Sequence, residues 1–285
     1  MRPKGLIRLL LTGCLLLLLS GCTFGATVDA LLTPPHLRGE QEQIYQALEN
    51  AVGNRITLQY PRSGDHLSAV MISDLDGDGQ DEAAVFYRKE SSLSTENALR
   101  LNLLDQADGT WMSVCDLPAE GAEVDRGFTA DIGGRQRLII GYSQVDQSDK
   151  ALVVYNYESG TLAKSFTVSY SSFDVADLDG DDQSELLILK AAEGEHAAEA
   201  AVYVPDEQDC YARYSLTLQG KTTEYSQVLC GNTQGKQTAI YLDGIVGATT
   251  MQTEVLQFDG KKLSYLVPTG SDAVSTIRPT GWLTM

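Results

Sequence analysis

Asp74-Leu75-Asp76-Gly77-Asp78-Gly79-Gln80-Asp81-Glu82 returns further along the chain as Asp177-Leu178-Asp179-Gly180-Asp181-Asp182-Gln183-Ser184-Glu185. Both stretches put acids at positions 1, 3, 5 and 9 of a nine-residue loop. Both are flanked by short apolar runs of β character. Ser68–Ser73 enters the first and Ala83–Arg88 leaves it; Phe173–Ala176 enters the second and Leu186–Lys190 leaves it. A loop that recurs between strand-like segments predicts a repeat fold.

Two weaker copies lie in the same frame. Gly127–Arg137 followed by Leu138–Tyr142 reads as the unit with a shortened loop starting at Asp131. Tyr225–Gln237 followed by Thr238–Leu242 reads as a fourth, its loop near Cys230 and Asn232. The loop starts are spaced by roughly 50 residues, the period of a propeller or solenoid. Each unit then continues as an apolar run, a tight turn and a second run. Asp108-Gly109, Ser159-Gly160 and Asp259-Gly260 mark three of these turns, and the third unit turns near Asp206. Paired apolar runs around such dipeptides predict hairpins. The expectation is an all-β chain, a β-propeller of about four four-stranded antiparallel blades. One helix precedes them, over Glu40–Val52, with Ile44, Tyr45, Leu48 and Val52 on one face.

This pattern resembles the FG-GAP or VCBS-type repeat family over about residues 55–285, on the strength of the two acidic loops. The resemblance implies the propeller of the integrin α-subunit head, with ions that stabilise blades on the face opposite the ligand surface. Asp182 departs from the family pattern, which has Gly at position 6, where Gly79 stands in the first loop. The second site is therefore expected to be more strained or weaker. The last residues, Pro279–Met285, line up with the strand entering a next loop, so either a fragment of a larger propeller, the preferred reading, or a strand closing a four-bladed ring is expected.

The spacing suits a hard cation. Calcium takes six to eight oxygens in flexible geometry, whereas magnesium demands a stricter octahedron. The expected calcium ligands are Asp74, Asp76, Asp78, the Gln80 carbonyl and Glu82 in the first loop. Asp177, Asp179, Asp181, the Gln183 carbonyl and Glu185 match them in the second. An EF-hand would need an acid at position 12, but Val85 and Ile188 stand there, inside apolar runs. With every ligand drawn from one loop, the ion is expected to be structural, with little room for a substrate.

Composition and termini bound the setting. Arg2, Lys4 and Arg8, the apolar run Leu9–Leu19 and then Leu19-Ser20-Gly21-Cys22 read as an export signal over residues 1–21. The last four residues resemble a bacterial lipobox, with Cys22 lipidated and residues 22–39 a flexible stalk before a domain at 40–285. The formal charge is −18, and losing the signal removes three positive charges and no acids. Such a surface repels phosphate backbones, so no nucleic-acid partner is expected. The covalent lipid would hold the chain at the outer face of the cytoplasmic membrane. Cys115, Cys210 and Cys230 are left over, enough for one bridge at most, with Cys210–Cys230 the open alternative to free thiols.

Catalysis is not signalled. His36, His66 and His196 lie beside no nucleophile motif, and the clustered acids are accounted for by the loops. The reading is of a non-enzymatic, lipid-anchored, calcium-stabilised module that binds protein or glycan at the cell surface. The alternative is an exported polysaccharide- or peptide-processing enzyme, or its accessory subunit, on the same scaffold.

Overall fold

A computed structural model describes residues 39–90, 98–144, 150–232, 238–247 and 250–266. The signal segment, Cys22, the stalk before Gly39, and Pro279–Met285 lie outside the described residues. The chain divides into Met1–Glu42 and Gln43–Met285, and the second unit carries every described strand.

The expected helix forms as α1 (Glu40–Val52). Its apolar spacing buries Ile44 and Leu48 completely, with Tyr45 and Val52 partly covered beside them. The first sheet follows: β1 (Ile56–Leu58), β2 (Val70–Ser73), β3 (Glu82–Lys89), β4 (Leu99–Ala107) and β5 (Thr110–Pro118). The second is β6 (Glu123–Asp131), β7 (Gln136–Ser143), β8 (Lys150–Glu158) and β9 (Thr161–Tyr170). The third is β10 (Ser172–Ala176), β11 (Glu185–Lys190), β12 (Glu199–Pro205) and β13 (Tyr211–Thr217). The fourth is β14 (Thr222–Asn232), β15 (Thr238–Val246), β16 (Thr250–Phe258) and β17 (Leu263–Tyr265).

Every pairing is antiparallel between neighbours, as four repeated meanders require. The first sheet has one strand more than the repeat predicts. β1 and β2 share one edge of β3, because residues 59–69 leave that edge between them. On the way they reach the second sheet, where the Arg62 and Ser63 amides donate to the Asp125 carbonyl. Two of the predicted hairpin turns show the left-handed pairs they need, Asp108 and Gly109 at φ 53° and 72°, Ser159 and Gly160 at 53° and 76°.

The second strand of each sheet is apolar on both faces, since the sheets stack. Side chains alternate across a strand, so adjacent residues serve different neighbours. From β3, Ala83, Val85 and Tyr87 pack with Ile44 and Leu48 of α1. Ala84 and Phe86 pack instead with Leu138 and Ile140 of β7. Ile139 turns the other way, toward Leu186 and Ile188 of β11. Leu187 and Leu189 meet Ile240 and Leu242 of β15. Burying one such side chain is worth about 1.5–3 kcal/mol, so each interface is held by a run of these contacts.

The all-β expectation stands, as four stacked sheets. Ring closure is a different matter. Among the described residues no apolar cluster joins the fourth sheet to the first. The free face of the first sheet is occupied by α1.

Candidate metal loops and the cleft beside them

The two acidic loops join first strand to second in the first and third sheets, as β2 to β3 and β10 to β11. Their backbones coincide bond for bond. Asp74 Oδ1 and Oδ2 accept from the amides of Gly77 (2.7 Å) and Gly79 (3.1 Å). Asp177 Oδ1 and Oδ2 accept from Gly180 (2.7 Å) and Asp182 (3.2 Å). Asp78 and Asp181 each accept from the amide two residues on, Gln80 and Gln183. These turns need a left-handed residue at position 6. Gly79 supplies it at φ 87°, and Asp182 is forced into it at φ 68°. The expected strain at Asp182 is therefore present in the backbone.

The loops gather carboxylates. In the first, one oxygen each from Asp74, Asp76 and Asp78 lie within 4.8 Å of one another. In the second the group is Asp177, Asp179 and Glu185. Two ligands on opposite sides of a calcium ion at about 2.4 Å are about 4.8 Å apart, so either group suits one ion. Asp181 and Glu82 stand outside these tightest groups.

Glu82 and Glu185 open the strands that leave the loops, and both are buried. One oxygen of each accepts the amide of the second loop residue, Leu75 at 2.6 Å and Leu178 at 2.8 Å. The other oxygen of Glu82, Oε1, is buried without a hydrogen-bond partner. Burial, opposed by that amide bond and reinforced by the loop aspartates, pushes both carboxyls up to about 7. Asp76 and Asp179 are raised as well, through burial first and their neighbouring aspartates. A bound cation would reverse this pressure, since an opposite charge within a few ångströms favours the ionised form.

The shortened loop of the second sheet solves the same problem differently. By register, Arg137 stands in the column of Glu82 and Glu185: Ala130 pairs with Arg137 as Ser73 pairs with Glu82 and Ala176 with Glu185. Its side chain is as buried as theirs. Where the glutamates accept the Leu75 and Leu178 amides, Arg137 Nε donates to the Ile132 carbonyl at 2.8 Å. Its other nitrogens donate to Asn156 Oδ1 (2.6 Å) and to Asp209 Oδ1 (2.5 Å) in the turn of the third sheet. Burial alone would raise Asp209, but the hydrogen bond and charge of Arg137, with Asn156 and Arg135, hold it below the usual carboxylate range. The guanidinium puts a fixed positive charge where the long loops place a buried carboxyl. Sequence reasoning read this loop as eroded and missed Arg137. The visible signal was a charge reversal in the one buried acidic column.

The three loops line one rim. Gln136 Nε2 donates to Ser73 Oγ at 3.3 Å, and Ile132 forms an isolated bridge with Ser184. Each long loop also faces the next sheet. Asp179 sits against the turn of the fourth sheet, where a Cβ added to Gly260 would lie 2.7 Å from Asp179 Oδ2. Asp76 and Gly77 border a cavity of about 370 Å³, with Gly134–Gln136 and Asn156–Glu158 of the second sheet opposite. The first loop thus borders open space through Asp76 and Gly77, whereas the second meets a neighbouring turn. Of the fourth loop, residues 233–237 lie outside the described set.

Cys115, Cys210 and Cys230 are free thiols, and the Cys210–Cys230 bridge is not formed. Burial, then the charge of Asp174, pushes Cys230 up to about 12, which leaves it unreactive. Among the described residues no helix is long and apolar enough to cross a membrane.

Neither a protein-family model nor a curated protein matches the chain. Solved structures do. An exotype rhamnogalacturonan lyase, YesX, aligns at TM-score 0.36 and 14% identity, over 75% of this chain and 57% of its own. The rhamnogalacturonan lyase YesW aligns at 0.36 and 16%, over 75% and 49%. A Bacillus licheniformis rhamnogalacturonan lyase aligns at 0.34 and 14%, over 74% and 55%. The chain spans about half the length of these enzymes. The expectation of a non-enzymatic protein is corrected by this finding, since the structures the chain is similar to are carbohydrate-cleaving enzymes. Likeness at this level assigns no residue a catalytic role.

Proposed function

We propose that this chain is an exported repeat domain of a carbohydrate-processing system, acting as the enzyme or as its accessory subunit, with its sheets tied by calcium. The single observation that carries the calcium part is the convergence of carboxylate oxygens in two loops of one design, beside a buried Glu82 oxygen that lacks a partner. Carboxylates so close repel one another strongly unless a cation lies between them. Asp74, Asp76 and Asp78, with Glu82 and the Gln80 carbonyl, would hold the first ion. Asp177, Asp179 and Glu185, with Asp181 and the Gln183 carbonyl, would hold the second. Calcium would supply charge neutralisation and would fix the loops against the next sheet. The repeat pattern favours a propeller of the FG-GAP or VCBS type, and the lipobox-like Leu19–Cys22 favours anchoring at the outer face of the cytoplasmic membrane.

Thermal melts in calcium and in EDTA test the ion. At a tenfold excess over Kd, each site adds about 1.4 kcal/mol, a few degrees in Tm for a domain of this size. A melt indifferent to both additions would remove the calcium assignment. Turnover on a polysaccharide panel, alone and with a co-purified partner, tests the carbohydrate reading.

A further inference from the structure

We propose that Pro279–Met285 docks on the outer face of the fourth sheet, with Trp282 over the apolar side chains there, as the first strand of a following sheet would. This docking needs neither calcium nor carbohydrate. β15 shows why the face needs a cover. Its Ile240 and Leu242 point into the core shared with the third sheet. Side chains alternate along a strand, so Ala239, Tyr241 and Ile245 point the other way, with Val255 of β16 paired beside Tyr241. None of these four joins an apolar cluster among the described residues. Yet Ala239 is completely buried, and Tyr241, Ile245 and Val255 are half-buried. A terminal sheet that meets water needs a polar outer face, and this one is apolar. On the first sheet the corresponding free face is covered by α1.

The repeat register selects the occupant. Pro279–Met285 aligns with Tyr170–Ala176, the stretch that enters the second acidic loop, which puts Trp282 in the place of Phe173 and Thr284 in that of Val175. The strand that opens a sheet packs back on the sheet before it. Phe173 and Val175 of β10 pack with Ile139 and Leu152 of the second sheet. Val228 and Cys230 of β14 pack with Leu187 and Leu189 of the third. Gly127 of β6 lies against the first sheet, where a Cβ added to it would be 3.1 Å from Met71 Sδ. By the same rule Trp282 falls on the fourth sheet. The connection is long enough: residues 267–278 span up to about 40 Å when extended, whereas Ser171 alone joins β9 to β10. A second copy of the chain is the rival occupant. The chain's own segment is favoured over it, because its tether to β17 gives it an effective concentration on the order of millimolar.

The chain has two tryptophans, Trp111 and Trp282, so Trp111→Phe leaves Trp282 as the reporter. Its emission and its quenching by acrylamide are read in the full chain, with folding followed by circular dichroism. Trp282 should be blue-shifted and protected from acrylamide in the folded protein. Adding Val255→Lys or Ile245→Lys should abolish that protection, while Met112→Lys, on the exposed side of β5, should keep it. Solvent-like Trp282 in the folded protein would overturn the proposal. Protection that survives in folded Val255→Lys and Ile245→Lys would also overturn it, by placing the segment elsewhere. Protection that rises with protein concentration would assign the face to a second copy and overturn it as well. Hydrogen exchange decides the matter where a substituted chain does not fold. The amides of Ala239–Ile245 should exchange faster in a chain ending at Arg278 than in the parent, and equal exchange would sink the docking.

Discussion

The loops at Asp74–Glu82 and Asp131–Arg137 occupy the same place in successive sheets and neutralise it in opposite ways. The first buries a glutamate and surrounds it with aspartates, which leaves an excess of negative charge. The second replaces the buried glutamate with Arg137, and its partners are a carbonyl, an amide oxygen and Asp209. One joint gathers carboxylates, and the other carries a cation covalently. On the calcium proposal, a long acidic loop would make a joint responsive to the ion, while a short one with arginine carries its own charge.

The largest expected effect comes from breaking the permanent joint. Arg137→Met keeps much of the volume but leaves the partly exposed Asp209 with only Asn156 and Arg135, a loss of about 2–4 kcal/mol, less than for a fully buried pair. Chemical denaturation should show the same loss in calcium and in EDTA. A loss confined to one of these conditions would end the contrast between the joints.

Asp76→Ala and Asp177→Ala should do the reverse. Each should cost about 1–3 kcal/mol in saturating calcium and almost nothing in EDTA, where removing a repelled charge offsets the lost turn hydrogen bonds. Melting curves in both buffers check this.

A third comparison varies pH. In the metal-free fold Glu82 and Glu185 protonate near 7, against an ordinary value of 4.5. Between those values the folded state binds more protons than the unfolded one. Metal-free stability should therefore fall as pH rises from about 4.5 to about 7, by at most about 1.4 kcal/mol per pH unit for each carboxyl. Calcium should flatten the trend, because it holds both groups ionised, and calcium affinity should rise over the same window. Urea titrations at several pH values measure it. A metal-free stability that climbs with pH would contradict the burial of these two acids.

The smallest effect concerns the two long loops themselves. Asp182→Gly removes a left-handed aspartate and matches Gly79 of the first loop, with an expected gain of up to about 1 kcal/mol. Gly79→Ala should lose a similar amount. Equal melts for Asp182→Gly and the parent would mean that the turn holds aspartate without strain.

Much of this was legible in the residues. Strand order, the Asp-Gly and Ser-Gly hairpins and the face of α1 follow from local periodicity and turn chemistry, which act over a few neighbours. The acidic spacing marked carboxylates that converge within one turn for the same reason, with Glu82 and Asp181 outside the tightest groups. Three things were not legible. The extra strand β1 depends on residues 59–69 crossing to the second sheet. The role of Arg137 depends on Asn156 and on Asp209, residues 19 and 72 positions away. The enzyme question was closed too early, because absence of a familiar nucleophile motif says little about a cleft assembled from two sheets.

The sequence by itself determined the repeat, the antiparallel meander and the two acidic loops, because each is encoded within a span shorter than one sheet. Only the tertiary structure decided which loop faces a cleft, which meets a neighbouring turn and which is neutralised by arginine. Those outcomes depend on the residues that the adjacent sheet places opposite, and no pattern local to the loop carries that information.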